Sequence, residues 1–200
     1  MIVFLESSPA SGKSSCCEYL QGDYAVFVEP VDMWTSHLEG VYGPAVADWV
    51  LPMQMLALTT RHEILLRARA VAERHGEVVV VERSPRSDSI FAQDLVGADM
   101  DAYRHVRARY DALLAGLDSR HIYLRAPPEV CMQRVAVRGR PQERGMTLER
   151  ARDIHRRHDI EFAGDVTVDA DRPKAEVFAE VREIIRGGML PPSPPERGLL

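Results

Sequence analysis

The chain has 200 residues, 46% of them hydrophobic, and a formal net charge of −5. This length and composition fit one compact domain, and the negative charge argues against general nucleic-acid binding. Its three cysteines suit neither a disulfide framework nor a zinc site, and no apolar run is long enough to cross a bilayer. We therefore expect a cytoplasmic or otherwise intracellular protein in a reducing compartment, with no nucleic-acid or membrane partner.

Apolar runs typical of strands alternate with longer segments of helical spacing. The predicted strands are Ile2 to Leu5, Ala25 to Val28, Val78 to Val81, His121 to Leu124 and Val166 to Val168. The predicted helices are Ser14 to Leu20, Trp49 to His75, Asp99 to Leu117, Glu129 to Val137, Leu148 to Phe162 and Lys174 to Ile185. This alternation predicts an α/β fold with a five-stranded parallel sheet flanked by helices, in one domain of residues 1–186. The segment 187–200, rich in Pro and Gly, is predicted to be a flexible tail.

The segment from Glu6 to Ser15, ESSPASGKSS, directly follows the first predicted strand and has the features of a phosphate-binding loop. In such loops backbone N–H groups surround the phosphates, a lysine reaches the outer phosphates, and a hydroxyl holds Mg²⁺ where a helix begins. Lys13 and Ser14 occupy the positions for the last two roles. We expect ATP contacts from Ser8, Ala10, Ser11, Gly12, Lys13, Ser14 and Ser15.

Two residues of this loop depart from the usual pattern. Ser7 occupies a position where the pattern has glycine, and Pro9 lacks an N–H that could point at a phosphate. Both changes are expected to weaken nucleotide binding, and a chance Gly-Lys-Ser at a helix start is the alternative interpretation. The preceding strand and the following helix favour the phosphate-binding interpretation.

Carboxylates follow three of the predicted strands. Glu6, Glu29 and Glu82 each come directly after an apolar run, and open parallel sheets bind ligands at the carboxyl ends of their strands. We expect the three to converge there, with Glu29 as the general base for a hydroxyl that attacks a γ-phosphate and Glu82 as a Mg²⁺ ligand. The guanidinium of Arg83 suits phosphate oxygens or the orientation of Glu29. A solvated Glu29 and a structural ion pair between Glu82 and Arg83 are the alternatives.

Arginines are dense between Arg134 and Arg144, where Gly and Pro interrupt the helical pattern. This segment is predicted to be a mobile lid whose arginines neutralise charge on the transferring phosphoryl group. An exposed basic turn is the alternative. The nearby His155 and His158 are interpreted as part of a solvated basic helix face rather than as metal ligands, and Cys131 as a core residue.

Together these motifs resemble the deoxynucleoside kinase family of the deoxycytidine and deoxyguanosine kinase type, with the related insect and viral enzymes. The resemblance extends from Met1 to about Ile185 and rests on the phosphate loop, on EPV..W at Glu29 to Trp34, ERSPRSD at Glu82 to Asp88, YLRAPPEVCMQR at Tyr123 to Arg134, and RGRPQE at Arg138 to Glu143. It implies a P-loop kinase that uses ATP and Mg²⁺ to phosphorylate the 5′-hydroxyl of a deoxyribonucleoside, and a homodimer formed through long helices.

The resemblance also implies roles for individual residues on the donor side of the site. Arg134 is expected to stack on the donor adenine, with Asp171 beside the same base. Arg138 and Arg140 are expected to be lid residues that contact phosphates.

On the acceptor side, the resemblance implies that Glu29 deprotonates the 5′-hydroxyl and that Arg83 binds near it. Glu143 and Tyr42 are expected to hold the sugar 3′-hydroxyl. With Lys13 and the two lid arginines, Glu29 and Arg83 complete the expected catalytic set.

The base of the nucleoside is expected to meet Gln54, whose amide offers both a donor and an acceptor. Arg61 lies two helical turns further on, and Arg61 and Asp88 are expected to face the same base edge. Family members that prefer thymidine resemble each other in lacking this Arg-Asp pair, whereas those that take deoxycytidine or purines have it. We therefore expect deoxycytidine or a purine deoxynucleoside to be preferred over thymidine. The candidate apolar walls are Trp34, Met53 and Phe91.

Two other functions stay open at this point. A nucleoside monophosphate kinase, such as a thymidylate kinase, shares the fold and the donor site, but it needs a further basic site for the acceptor phosphate, and Glu29 is poorly placed beside that charge. A regulatory module with a degraded phosphate loop would bind ATP weakly without turnover.

Overall fold

The computed structural model describes residues 1–188 and residue 190. Within these residues, five strands form one parallel sheet: β1 (Ile2–Ser7), β2 (Ala25–Phe27), β3 (Val79–Glu82), β4 (Ser119–Arg125) and β5 (Val166–Asp169). The helices are α1 (Lys13–Leu20), α2 (Thr35–Val41), α3 (Val46–His75), α4 (Pro85–Ala92), α5 (Gly97–Leu114), α6 (Pro128–Arg138), α7 (Leu148–Glu161) and α8 (Lys174–Arg186). Short 3₁₀ helices lie at Val31–Trp34 and Pro141–Glu143.

The strand order is β2-β3-β1-β4-β5, so β1 lies at the centre of the sheet. Its residues are buried on both faces because helices cover both sides. Val3 and Leu5 belong to a core cluster with residues of α1, α6 and α8, whereas Ile2 and Phe4 pack in a cluster with residues of α3. This double burial explains the uninterrupted apolar runs in the sequence.

Because all five strands are parallel, their carboxyl ends lie at one edge of the sheet. Leu5 of β1 pairs in register with Glu82 of β3, which brings the start of the phosphate loop beside the end of β3. The predicted α/β fold is therefore confirmed, and the sheet edge that it creates is the place where the candidate residues meet.

Two helices were not predicted. α2, with the sequence TSHLEGV, has only two apolar residues at helical spacing, the partly buried Leu38 and Val41, which is too short a pattern to predict a helix. α4 begins at a Pro that follows Ser84, and the Ser84 side chain accepts a hydrogen bond from the Arg86 N–H, which is a usual helix start. The local signal for α4 was thus present in the sequence.

The predicted flexible tail lies mostly outside the described residues, which end at residue 188 apart from Leu190. Leu190 packs into the core cluster around β1, and its carbonyl accepts a hydrogen bond from Arg120 Nε at 3.1 Å. In the described part of the chain, no helix combines the length and the apolar character needed to cross a membrane.

Candidate functional site

A cavity of about 710 Å³ opens at the carboxyl ends of the strands, and we call it the strand-end cavity. The phosphate loop borders one end, and α3 together with Trp34 borders the other. The lid segment, residues 138–145, contributes Arg138, Arg140 and Glu143 to the wall between them. The volume suits a small molecule, since ligand sites commonly enclose about 300–1,000 Å³.

The phosphate loop runs from the end of β1 to the start of α1. Ala10 and Gly12 have the left-handed φ values 64° and 102°, and Ser11 Oγ donates to the Ser8 carbonyl at 3.0 Å, which closes the turn. Ser7 is not among the residues with positive φ. The serine in place of the usual glycine therefore adds no backbone strain.

Lys13 and Ser14 converge on one carboxylate. Lys13 Nζ lies 2.5 Å from Glu82 Oε1, and Ser14 Oγ donates to the same oxygen at 2.7 Å. The other oxygen of Glu82 accepts the backbone N–H of Glu29 at 2.9 Å. Burial raises the pKa of Glu82, but the charge of Lys13 and the hydrogen bonds from Lys13 and Ser14 together outweigh it, so the pKa lies below its ordinary value.

Ser14 and Glu82 together offer a hydroxyl and a carboxylate oxygen, which is the donor chemistry that Mg²⁺ prefers. Among the described residues, no cluster of three or more His, Cys, Asp or Glu side chains could form a metal cage by itself. This donor set therefore fits a magnesium ion that is completed by water and by the phosphates of a nucleotide.

Glu29 is surrounded by three cations. Arg61 Nε donates to Glu29 Oε1 at 2.8 Å, while Lys13 Nζ and Arg83 Nε lie 3.4 Å and 3.3 Å from Glu29 Oε2. Burial raises the pKa of Glu29, but the charges of Arg61, Lys13 and Arg83, in that order, lower it to about 2. Glu29 is thus an ionised carboxylate on the wall of the cavity, close to the lysine of the phosphate loop.

At the other end of the cavity, Arg61 also contacts Asp88, and its guanidinium carbon lies 5.1 Å from the centre of the Trp34 ring. Gln54 is 6% exposed and borders the cavity, yet its Oε1 has no hydrogen-bond partner among the described residues. The same holds for the buried Oδ2 of Asp88. Asp88 is 1% exposed and, unlike Gln54, does not border the cavity. Buried acceptors are rarely left unpaired, so Gln54 Oε1 is an acceptor in the cavity wall that still lacks a hydrogen bond.

Trp34, Met53 and Phe91, the predicted apolar walls, all border the cavity. Trp34 is fixed in place because its indole N–H donates to Thr60 Oγ1 at 3.2 Å. Phe91 lies under Arg83, whose guanidinium carbon is 5.1 Å from the ring centre.

The lid segment begins where α6 ends. Gly139, with φ 64°, terminates the helix, and Arg138 Nη2 lies 2.6 Å from Glu143 Oε1. The two residues expected to bind phosphate and sugar are therefore paired with each other. At Gly145 a Cβ atom would lie 1.7 Å from the Tyr42 carbonyl oxygen, so the lid rests directly against the end of α2. Burial raises the pKa of Tyr42 to about 12, so its hydroxyl stays protonated.

Arg134 connects the phosphate loop to the residue that follows β5. Its Nη1 donates to the Ser11 carbonyl at 3.2 Å, and its Nη2 donates to the Ala170 carbonyl at 2.9 Å. Asp171 is exposed and does not border the cavity, whereas its neighbours Ala170 and Arg172 do, so its place beside the donor base stays a prediction.

The expectation that Glu6 converges with the other carboxylates is wrong. Side chains alternate along β1, so Glu6 falls on the face toward α4, and its oxygens accept from the Ser84 N–H at 2.8 Å and Ser87 Oγ at 2.5 Å. Glu6 is fully buried. It supports the turn after β3 and does not reach the cavity.

The interpretation of His155 and His158 as a solvated face is also wrong, since both are buried. α7 packs against α4 and α6, so these faces of the helix are covered. Cys131 is buried as expected.

Sequence reasoning missed some residues of the cavity wall, among them Asp94 and Arg150. Arg150 Nη1 donates to Asp94 Oδ1 at 3.1 Å, although the two residues are 56 positions apart. No local motif marks such a pair, and neither residue follows a predicted strand.

The strand-end cavity, the lysine of the phosphate loop and the ionised carboxylate beside it define a nucleotide-dependent phosphotransferase. Comparison with known proteins makes this class specific. The family model described as deoxynucleoside kinase matches residues 5–185. The chain therefore belongs to the deoxynucleoside kinase family, as the sequence motifs predicted, and it is a kinase that phosphorylates deoxynucleosides.

Individual relatives agree with this family. Deoxycytidine kinase 1 of Xenopus laevis is 33% identical over 182 residues, covering 74% of this chain and 68% of the relative. Human mitochondrial thymidine kinase 2 is 28% identical over 162 residues, covering 74% of this chain and 59% of the relative. The solved structure of deoxyadenosine kinase from M. mycoides with bound dATP has a TM-score of 0.77 at 20% identity, covering 93% of this chain and 99% of that one. This last similarity shows that the fold is shared.

Proposed function

We propose that the enzyme transfers the γ-phosphate of ATP, with Mg²⁺, to the 5′-hydroxyl of a deoxyribonucleoside and yields the 5′-monophosphate. The observation that carries this proposal is Glu29, an ionised carboxylate on the cavity wall with Lys13 Nζ 3.4 Å away. A proton acceptor beside the lysine that reaches the outer phosphates is the arrangement that an attacking hydroxyl requires.

In the proposed reaction, the 5′-oxygen bonds to the γ-phosphorus while the bond from that phosphorus to the β,γ-bridging oxygen breaks. Glu29 accepts the hydroxyl proton, and Arg83, whose Nε lies 3.3 Å from Glu29, orients this carboxylate and faces the reacting oxygens. Lys13 and the lid residues Arg138 and Arg140 stabilise negative charge on the phosphoryl group.

ATP is the proposed donor, with its phosphates in the loop from Ser8 to Ser15 and its adenine near Arg134. A magnesium ion supplies further positive charge to the phosphates when it is bound, and Ser14 and Glu82 are the residues that would hold it. Glu143 and Tyr42 are proposed to bind the sugar. The family resemblance further supports a homodimer.

For the base, we propose a preference for deoxycytidine or a purine deoxynucleoside over thymidine. Gln54 Oε1 and Asp88 Oδ2 are both acceptors without a partner among the described residues. Cytosine, adenine and guanine carry an exocyclic amino group, a donor that suits Gln54 Oε1 on the cavity wall, whereas Asp88 does not border the cavity and contacts Arg61, which does. Thymine has no exocyclic amino group, and a site that binds such a group disfavours a base that lacks it. Because relatives include both a deoxycytidine kinase and a thymidine kinase, this preference needs its own test.

The test is ADP formation from Mg²⁺-ATP with each of the four deoxynucleosides and with thymidine monophosphate. Turnover with deoxycytidine or a purine deoxynucleoside, reduced strongly in Glu29→Gln, is the expected result. Turnover with thymidine alone would remove the proposed preference but keep the reaction. Turnover with the monophosphate alone would indicate a nucleoside monophosphate kinase, and ATP binding without any turnover would indicate a binding module.

A further inference from the structure

His158 lies in α7, is fully buried, and contacts Arg83 and Phe91, which border the strand-end cavity. Its Nδ1 is 2.8 Å from the Ile154 carbonyl oxygen. A carbonyl oxygen only accepts hydrogen bonds, so Nδ1 must carry a hydrogen, and Nε2 of the neutral ring is then an acceptor. The local contact with the helix backbone thus fixes the tautomer of this histidine.

The partner of that acceptor is Arg83. Arg83 Nη1 lies 3.2 Å from His158 Nε2, and because a guanidinium has no acceptor, Arg83 is the donor. Burial, followed by the charge of Arg83, lowers the pKa of His158 to about 3, so the ring is neutral under ordinary conditions. A protonated ring would present a second cation to Arg83 and lose the contact.

The ring of His158 is held on several sides by aromatic residues. Phe91 meets it edge-on at 5.8 Å between ring centres, and Tyr123 and Phe162 lie at 6.2 Å and 6.0 Å. These contacts leave little room for the ring to turn, so its Nε2 is a fixed point behind the site.

The side chain of Arg83 spans the end of the sheet, and a fixed acceptor such as His158 Nε2 can hold its guanidinium in one position. Its backbone has φ 65°, a left-handed conformation that is uncommon for a residue with a side chain, and its N–H donates to the Leu5 carbonyl at 3.0 Å. This backbone aims the side chain across the end of the sheet. Nε reaches Glu29 at 3.3 Å, while Nη1 is anchored on the opposite side by His158 and, at 3.3 Å, by Ser87 Oγ.

We propose that His158 is a positioning residue that fixes the guanidinium of Arg83 against Glu29 by accepting a hydrogen bond through Nε2. Ile154, one turn earlier on α7, borders the strand-end cavity, but His158 does not, so it acts through Arg83 and not on the nucleoside. The inference rests on the proposed roles of Arg83 and Glu29 in phosphoryl transfer.

The test compares two amides at position 158. Glutamine is long enough to place its side-chain oxygen near the position of Nε2, whereas asparagine reaches only the depth of Nδ1. His158→Asn should lower kcat by about tenfold to a hundredfold, the scale of a misplaced catalytic group, with KM for ATP changed less than about twofold. His158→Gln should recover most of kcat.

The control is His155→Asn, on the same helix. His155 is also nearly buried, but it pairs with Asp159, with its Nε2 3.3 Å from Oδ2, and this variant should keep kcat near the wild-type value. In an Arg83→Gln background, His158→Asn should lower kcat little further, because the group that it positions is already gone. Equal losses in the Gln and Asn variants, or additive losses with Arg83→Gln, would mean that His158 only fills space and would overturn the inference.

A second measurement does not depend on turnover or on the folding of a variant. The ¹⁵N imidazole spectrum of the wild-type protein should show His158 as the neutral tautomer protonated at Nδ1. A ring protonated at Nε2 would overturn the inference even in an active enzyme. If the wild-type protein phosphorylated no deoxynucleoside, the proposed function would fail, while this spectrum would still decide whether Nε2 can accept from Arg83.

Discussion

Replacing Glu29 with glutamine is the sharpest test of the proposed chemistry. Glutamine has nearly the same shape, but it cannot accept the proton of the attacking hydroxyl. We expect kcat to fall by a factor of about 10² or more, the usual contribution of a general base. The nucleoside should still bind, because Gln54 and the apolar walls of the proposed base pocket are unchanged.

The structure also gives the expected cost in stability. Without the Glu29 charge, Lys13 keeps Glu82 and Arg61 keeps Asp88, but Arg83 keeps only the neutral Ser87 and His158. Breaking a buried ion pair costs about 3–5 kcal/mol when the remaining charge has no other partner. Because two of the three cations keep a carboxylate and the cavity admits water, we expect a loss of about 1–3 kcal/mol in the free energy of unfolding.

Glu29→Asp separates the two effects. It keeps the negative charge among the cations but withdraws the carboxylate by one methylene, so kcat should fall while the free energy of unfolding stays closer to the wild-type value. Single-turnover kinetics with a saturating deoxynucleoside gives the chemical step, and urea unfolding gives stability. If Glu29→Gln keeps a wild-type rate in the chemical step but loses stability, Glu29 is a structural ion-pair partner and the proposed base is wrong.

Three further predictions follow from contacts around the cavity. Arg61→Met removes the largest influence that lowers the pKa of Glu29, so this pKa should rise. In a pH profile, kcat/KM of the variant should begin to fall at a higher pH on acidification. In the wild-type protein, protonation of Glu29 should not lower kcat/KM above about pH 4. Ser7→Gly should leave KM for ATP within about twofold, because Ser7 has no left-handed backbone, and should cost about 0.5–1 kcal/mol in thermal or urea unfolding; a large gain in ATP affinity would contradict this. Gly145→Ala should raise KM for the nucleoside in steady-state kinetics. The added Cβ would lie 1.7 Å from the Tyr42 carbonyl oxygen and would displace the lid segment. Unchanged kinetics would show that the lid segment does not need this close contact.

The sheet was predictable because its central strands are buried on both faces. The run Val79 to Val81 has no polar residue, and the structure covers it on both sides. Helices could be predicted where one face is apolar over many turns, as in α3, and not where only two apolar side chains are partly buried, as in α2. Helix spacing records burial against the core, so a helix without such burial leaves no periodic signal.

The site was predictable to the extent that it follows strand ends. Glu82 ends β3, Arg83 follows it, and Glu29 comes two residues after β2; the three meet in space because parallel strands end together. The same rule failed for Glu6, since one position along a strand changes the face on which a side chain lies. His158 was misread for a different reason: charged neighbours in sequence suggested solvent, whereas burial depends on which helices cover that face.

The contacts of Arg61 join base recognition to the reaction. The guanidinium of Arg61 borders the cavity and contacts both the buried Asp88 and Glu29, the proposed general base. Arg61 is also the largest influence that keeps the pKa of Glu29 low, so moving Arg61 changes the ionisation of Glu29 as well as the shape of the pocket. A base that draws Arg61 toward its edge would weaken the contact with Glu29 and make that carboxylate more basic. Substrate preference should therefore appear in kcat as well as in KM, because the residue proposed to meet the base also sets the strength of the group proposed to accept the proton.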